Sequence, residues 1–212
     1  MTAKKPYSSV TPDKWDTPDG HSPMTHFVKQ YNPISDEFAH YIDRHTFQCE
    51  IKKDKHLIKA GESCDYLYLL KKGVMRGYVK DNSKDLTNWI AFENSLITSA
   101  RSFFLKSPAT KNIQAIETSE LIGVHFEALE YSFTHFLEMN IIGRKILEQY
   151  YRSAEERSLI ARLPRASSKY ERFLATYGEL ANRIQLKYIA SHLGVTLETL
   201  SRIRSKAGKQ KA

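Results

Sequence analysis

The chain has 212 residues, 41% hydrophobic and 26% charged, with a formal net charge of +8. That is enough apolar material for a real core, so a disordered chain is excluded, and no apolar run approaches the length of a membrane span. Two cysteines, Cys49 and Cys64, are too few for a disulfide framework and suit a cytoplasmic protein with reduced thiols.

The chain opens MTAKKPYSSVTPDKWDTPDGHSP, without the apolar stretch of a signal peptide. Its Pro, Ser, Asp and Lys content predicts a flexible arm over 1–24, with Met24 as a second candidate start. Ser35 is placed to cap a short helix in SDEFAHYIDRH, where Phe38, Tyr41 and Ile42 recur on one side. From Thr46 to Val124 the texture changes. Segments such as FQCEI, HLIKAG, DYLYLLKKGVMRGYV, LTNWIAF and IQAIETSELIGV alternate or cluster apolar residues, punctuated by Gly61, Gly73 and Gly77. That is the pattern of a compact antiparallel sandwich or barrel.

Near Phe126 the pattern turns helical. Met139, Ile142, Ile146, Tyr150 and Ala154 trace a stripe at spacings of three and four along a long helix over 138–163. Such a helix outruns what the sheet domain needs, and a second copy of the chain is the expected cover for its stripe. Pro164 ends it and marks a hinge. Beyond the hinge, SSKYERFLATYGEL supplies a supporting helix.

The last element is QLKYIASHLGVTLETLSRIRSK, from Gln185 to Lys206. Ile189, Ala190 and Leu193 share a face of a first helix. Gly194 stands where the chain reverses and a left-handed backbone is cheapest for glycine. Thr196 is placed to cap a second helix anchored by Leu200 and Ile203, leaving Glu198, Ser201, Arg202 and Lys206 on the opposite face. The pattern is a helix-turn-helix with a polar recognition face, Thr199 lying beside it. A helical hairpin with a merely solvated outer face would not need the small Ala190, four places before the glycine. From Pro164 onward ten Lys/Arg face three acids, so this segment carries +7 of the total +8. Such a segment attracts phosphates.

The order of helix, glycine-punctuated β-roll, long helix, hinge and helix-turn-helix resembles the Crp/Fnr family of bacterial transcription regulators. The likeness runs from about Pro33 to Lys206 and is carried by KAGESCDYLYLLKKGVMRGYV and above all IASHLGVTLETLSRIR. It implies an α+β fold: a jelly-roll-like antiparallel β-roll over 25–137, a dimerisation helix over 138–163, and a DNA-binding domain over 164–212. It also implies that Glu198, Ser201 and Arg202 read a DNA half-site. The chemistry agrees, since a carboxylate accepts from cytosine N4 and Arg pairs bidentately with guanine N7 and O6.

Departures from the family pattern are informative. Laying ITSARSFFLKSPATKNIQAIE on the cyclic-nucleotide motif puts Ala100 at the ribose-binding Glu and Ala109 at the phosphate-binding Arg, and only Thr110 matches. A buried anion without its cation is costly, which argues against tight binding of cyclic AMP. Arg101, Ser102, Thr110 and Lys111 are the residues left to receive another effector, with Lys106 nearby. Two cysteines fall short of the four ligands of a cubane cluster. His56, His125 and His135 lack a haem ligand's context and read as surface or locally hydrogen-bonded groups. After the recognition helix only AGKQKA remains, so the family's β-hairpin wing is reduced or absent.

These readings point to a homodimer on palindromic double-stranded DNA, with no membrane association and no cofactor. RNA polymerase is a further possible partner, although no polymerase-contacting patch is recognisable. A β-roll that binds a small molecule and controls a partner protein without DNA is the alternative. An enzyme is disfavoured, because the eight His are scattered and no metal-binding, catalytic-triad or phosphate-loop arrangement stands out.

Overall fold

A computed structural model describes residues 9, 10, 12 and 15–209. The antiparallel β-roll is built from β1 (Ser9–Val10), β2 (Thr46–Ile51), β3 (His56–Ile58), β4 (Tyr66–Lys72), β5 (Met75–Asp81), β6 (Lys84–Ala91), β7 (Leu96–Ile97), β8 (Asn112–Ala115) and β9 (Ser119–His125). They form two sheets ordered β1-β2-β9-β4-β7 and β3-β8-β5-β6. Alternate residues of the two sheets meet in a core that includes Ile51, Leu70, Met75, Ala115 and Leu121, all inaccessible to solvent. Cys49 and Cys64 are buried thiols in that same core. The β5–β6 pairing shifts register at Gly77, where a Cβ would stand 2.2 Å from the Trp89 ring. Only a residue without a side chain lets that indole lie flat across the strand.

Helices α1 (Pro23–Lys29), α2 (Asp36–His45), α3 (Ala100–Leu105), α4 (Phe126–His135) and α5 (Leu137–Arg162) surround the roll. Ser35 caps α2 as its position predicts, its hydroxyl accepting from the Phe38 amide. The flexible arm expected over 1–24 requires correction for its second half. Trp15 is 5% exposed, Ser22 caps α1 with Pro23 in the first turn, and Met24 is buried. The arm is held by the Asp43 carboxylate, which accepts from the Ser22 amide (2.7 Å) and the Thr25 hydroxyl (2.6 Å) and pairs with His21 Nδ1 (2.7 Å). Residues 1–8 lie outside the described residues.

The long helix α5 is present at nearly the predicted bounds, but most of the stripe assigned to a second copy faces its own subunit, and its last member, Ala154, is left exposed on the outside. Met139 and Ile142 are buried and Ile146 is partly buried, in one cluster with Phe27, Phe38, Ile122 and Val124. The Tyr150 hydroxyl donates to the Leu96 carbonyl, and burial pushes its pKa up to about 12. The physical reason is α1, for which the sequence reading named no helix and which closes over this stripe together with α2. Another seam is left uncovered. Leu137, Asn140, Arg144, Leu147, Tyr151, Ala154, Ser158 and Ala161, alternating three and four apart, are all exposed. Among the described residues no helix is long and apolar enough to cross a membrane.

Candidate nucleic-acid interface

The C-terminal head comprises α6 (Ala166–Tyr177), a 3-10 turn (Gly178–Arg183), α7 (Leu186–Leu193) and α8 (Leu197–Lys209). Its core is Tyr170, Phe173, Ala181, Ile184, Tyr188, Ile189, Ala190, Leu193 and Leu200, joined by Ile160 from the end of α5. Phe173 and Leu200 are wholly buried, and sealing a side chain such as Leu200 stabilises the head by about 1.5–3 kcal/mol. The turn forms as its residues dictate. Gly194 sits at φ +65° and closes α7, and the Val195 amide reaches back to the Ala190 carbonyl at 3.0 Å. Lys169 Nζ donates to the Leu193 carbonyl at 3.1 Å, setting a cation on the negative end of α7.

Helix α8 begins at a cap in which Thr196 Oγ1 accepts from the Thr199 amide at 3.2 Å. Leu200 and Ile203 root it in the core. Glu198, Ser201, Arg202 and Lys206 are exposed, as are Arg204 and Ser205. Thr199 is half-buried and its hydroxyl lies 3.1 Å from that of Thr196, so it belongs to the cap more than to the outer face. The Glu198 carboxyl titrates below its usual range: hydrogen bonds from its own amide and from Thr196 hold the anion, aided by the charge of Arg202 one turn on. The outer face therefore offers one carboxylate and several cations on a rigid rod, donors and acceptors of the kind that distinguish base pairs in a major groove. Helix α8 runs on to Lys209, and residues 210–212, where a wing would continue, lie outside the described residues.

The second predicted cluster does not assemble. Ser102 is buried and its hydroxyl accepts from the Cys64 amide at 2.7 Å, while Arg101 and Thr110 are exposed and Lys111 is half-buried. Ala109 is buried, pinned through its amide to the Glu62 carbonyl. Phe103 fills the space behind α3, packed edge-on against Phe126. Lys106 stacks over Phe126 and pairs with Asp65. The three histidines are locally bonded: His56 to the Tyr78 hydroxyl, His125 to the Glu127 amide, His135 to the Tyr131 carbonyl.

Sequence reading missed the contacts that hold the head to the roll. Arg183 is bonded to both Glu93 and Glu117, and Ser191 of α7 is bonded to β6. These pairs are about 65 to 105 positions apart in the chain, so no local spacing signals them.

The fold is that of the Crp/Fnr regulators, an α+β cyclic-nucleotide-binding-type roll followed by helices. No family model matches the sequence and no curated protein is found similar to it. Solved structures do match. FixK2 from Bradyrhizobium japonicum superposes with a TM-score of 0.68 at 19% identity, over 78% of this chain and 86% of that one. A CooA mutant from Carboxydothermus hydrogenoformans gives 0.67 at 17%, over 83% and 82%. A protein described as a Crp/Fnr-family transcriptional regulator, from Eubacterium rectale, gives 0.65 at 16%, over 85% and 88%.

Proposed function

We propose that the protein is a dimeric, sequence-specific DNA-binding regulator of transcription. The observation that carries this reading is the outward face of α8: Glu198, Ser201, Arg202 and Lys206 are exposed on a helix whose inner face is locked by Leu200 and Ile203. In this reading Arg202 pairs with a guanine, Glu198 accepts from a cytosine amino group, and Ser201 and Lys206 meet flanking bases or phosphates. Two copies joined along the uncovered seam of α5 present two such helices to a palindromic site. Leu147 and Tyr151 are its apolar contacts, while Ala154 and Ala161 let the helices approach closely.

Cyclic AMP is not the signal in this reading. Ala100 and Ala109 stand where the resemblance places the nucleotide's partners, and Ser102 is already committed to the Cys64 amide. Selection of binding sites from random duplexes, followed by gel shift, tests the proposal. A palindromic consensus bound more tightly than unrelated DNA, with affinity falling as salt rises, is expected. Equal affinity for all duplexes would overturn it.

A further inference from the structure

Strand β6 is the last strand of its sheet, so among the described residues one side of its backbone has no strand partner. Helix α7 satisfies it instead. The Thr87 amide donates to Ser191 Oγ at 2.9 Å, the same hydroxyl donates to the Asp85 carbonyl at 2.5 Å, and the His192 ring lies next to the Thr87 backbone. Beside this edge lies the buried Arg76, between the rings of Tyr78 (4.0 Å) and Tyr188 of α7 (4.2 Å). Its guanidinium donates to Gln114, Thr87 and Asp85. Farther along, Arg183 grips Glu93 and Glu117. The head is thus docked on the roll by a joint of these polar contacts and an apolar core it shares with Val74, Ile90, Phe92 and Ile116.

Among the buried side-chain polar atoms of the described residues, His192 Nδ1 is left without a partner. The ring packs edge-on near Phe173 and Tyr177. A neutral imidazole fits, since Nδ1 can stay bare without carrying a proton. A protonated ring would bury an N–H with no acceptor. We infer that the joint is a proton-sensitive catch, in which neutral His192 helps keep the DNA-binding head docked against β6 and its protonation shifts the balance toward the undocked head.

The surrounding charges support this. Burial lowers the His192 pKa to about 4, and Arg157 of α5 lowers it further while the Thr87 backbone opposes. The Asp85 carboxylate is committed to Arg76, and burial keeps the Tyr177 phenol protonated. Arg183 holds Glu93 at about 2, so that grip stays charged in mild acid. Lys169 meets the end of α7 at the Leu193 carbonyl. His56, beyond Tyr78, is also lowered, by burial and by Lys59, Arg76 and Lys80 against the pull of Asp85. Its contribution is separated by its own variant. A free imidazole near 6.5 against about 4 in the docked state favours opening about tenfold at pH 5.5 relative to pH 7.5.

The catch itself needs no DNA, but its regulatory meaning rests on the proposed function. Hydrogen exchange of the Thr87 amide in the full chain, without DNA and corrected for intrinsic rate, reads the docked state directly, with Ile122 in β9 as reference for global unfolding. Protection of Thr87 is expected to fall about tenfold from pH 7.5 to 5.5 while Ile122 stays protected. The fall should vanish in His192→Gln and persist in His56→Gln. Unchanged protection in the wild type, or an equal fall in His192→Gln, overturns the inference. If His192→Gln is open already at pH 7.5, the wild-type ring titration by NMR decides, a midpoint near 4 supporting the catch and one near 6.5 overturning it. Gel shift at pH 7.5 is read separately: failure there counts against DNA binding and leaves the catch standing.

Discussion

The indole Nε1 of Trp15 donates to the main-chain carbonyl of Asp43 at 3.3 Å, tying the N-terminal segment to the end of α2. The Asp43 side chain completes the tie through Ser22, Thr25 and His21. Burial disfavours the Asp43 anion, but these bonds outweigh it and its pKa lies below the usual carboxylate value.

Asp43→Ala should release this segment, because it orphans the buried Thr25 and Ser22 groups at a cost of about 1–3 kcal/mol each. Trp15 fluorescence should shift to the red, and limited proteolysis should cut before Pro23. Far-UV dichroism should change little. An unshifted emission spectrum would show that apolar packing alone holds the arm.

Arg202→Ala should weaken binding to the selected site by about 1–3 kcal/mol and relax preference at one base pair of each half-site. Affinity for unrelated duplex should change far less. An equal loss on both, with a shallower salt dependence, would make Arg202 a phosphate contact.

Two substitutions five residues apart on α5 should separate assembly from folding. Leu147→Glu places a charge on the exposed seam and should yield monomers by sedimentation, with unchanged thermal stability of each subunit. Ile142→Ala empties a fully buried position and should cost about 2–5 kcal/mol of stability, the folded fraction remaining dimeric. Monomers from Ile142→Ala alone would restore the stripe that the sequence suggests.

Glu93 gives an acid signature. Its carboxyl is lowered from 4.5 to about 2, chiefly by the Arg183 hydrogen bonds. A depressed acid contributes stability above its unfolded pKa and loses it as pH falls from about 4.5 to 2. Since the pair is about a third exposed, a contribution of about 1–2 kcal/mol is expected after screening. Denaturant titrations at pH 6 and pH 3 should show that loss in the wild type and not in Glu93→Gln.

The helix-turn-helix was legible because every constraint on it is local. Gly194 needs positive φ, Thr196 caps three residues ahead, and Leu200 and Ile203 repeat at helical spacing. The β-roll was legible for the same reason, its alternating segments needing only a partner. The face of α5 was not. Two stripes of three-and-four spacing run along that helix, and periodicity identifies apolar positions without saying which neighbour covers them. Met139 and Ile142 are covered by α1 and α2, and α1 follows directly on a segment whose Pro and Asp content masked a buried Trp15. Ser22 followed by Pro23 was a usable cap signal there. The joint depends on pairs such as Arg183 with Glu93, which only tertiary structure brings together.

Because a helix rather than a strand covers the outer side of β6, the fold carries a guard against edge-to-edge aggregation. Lifting α7 bares the Thr87 amide and the Asp85 carbonyl beside the exposed Leu86, a template for any stray extended peptide. An open head is therefore a sticky species, and acid-treated samples should precipitate in proportion to their concentration long before the roll itself melts.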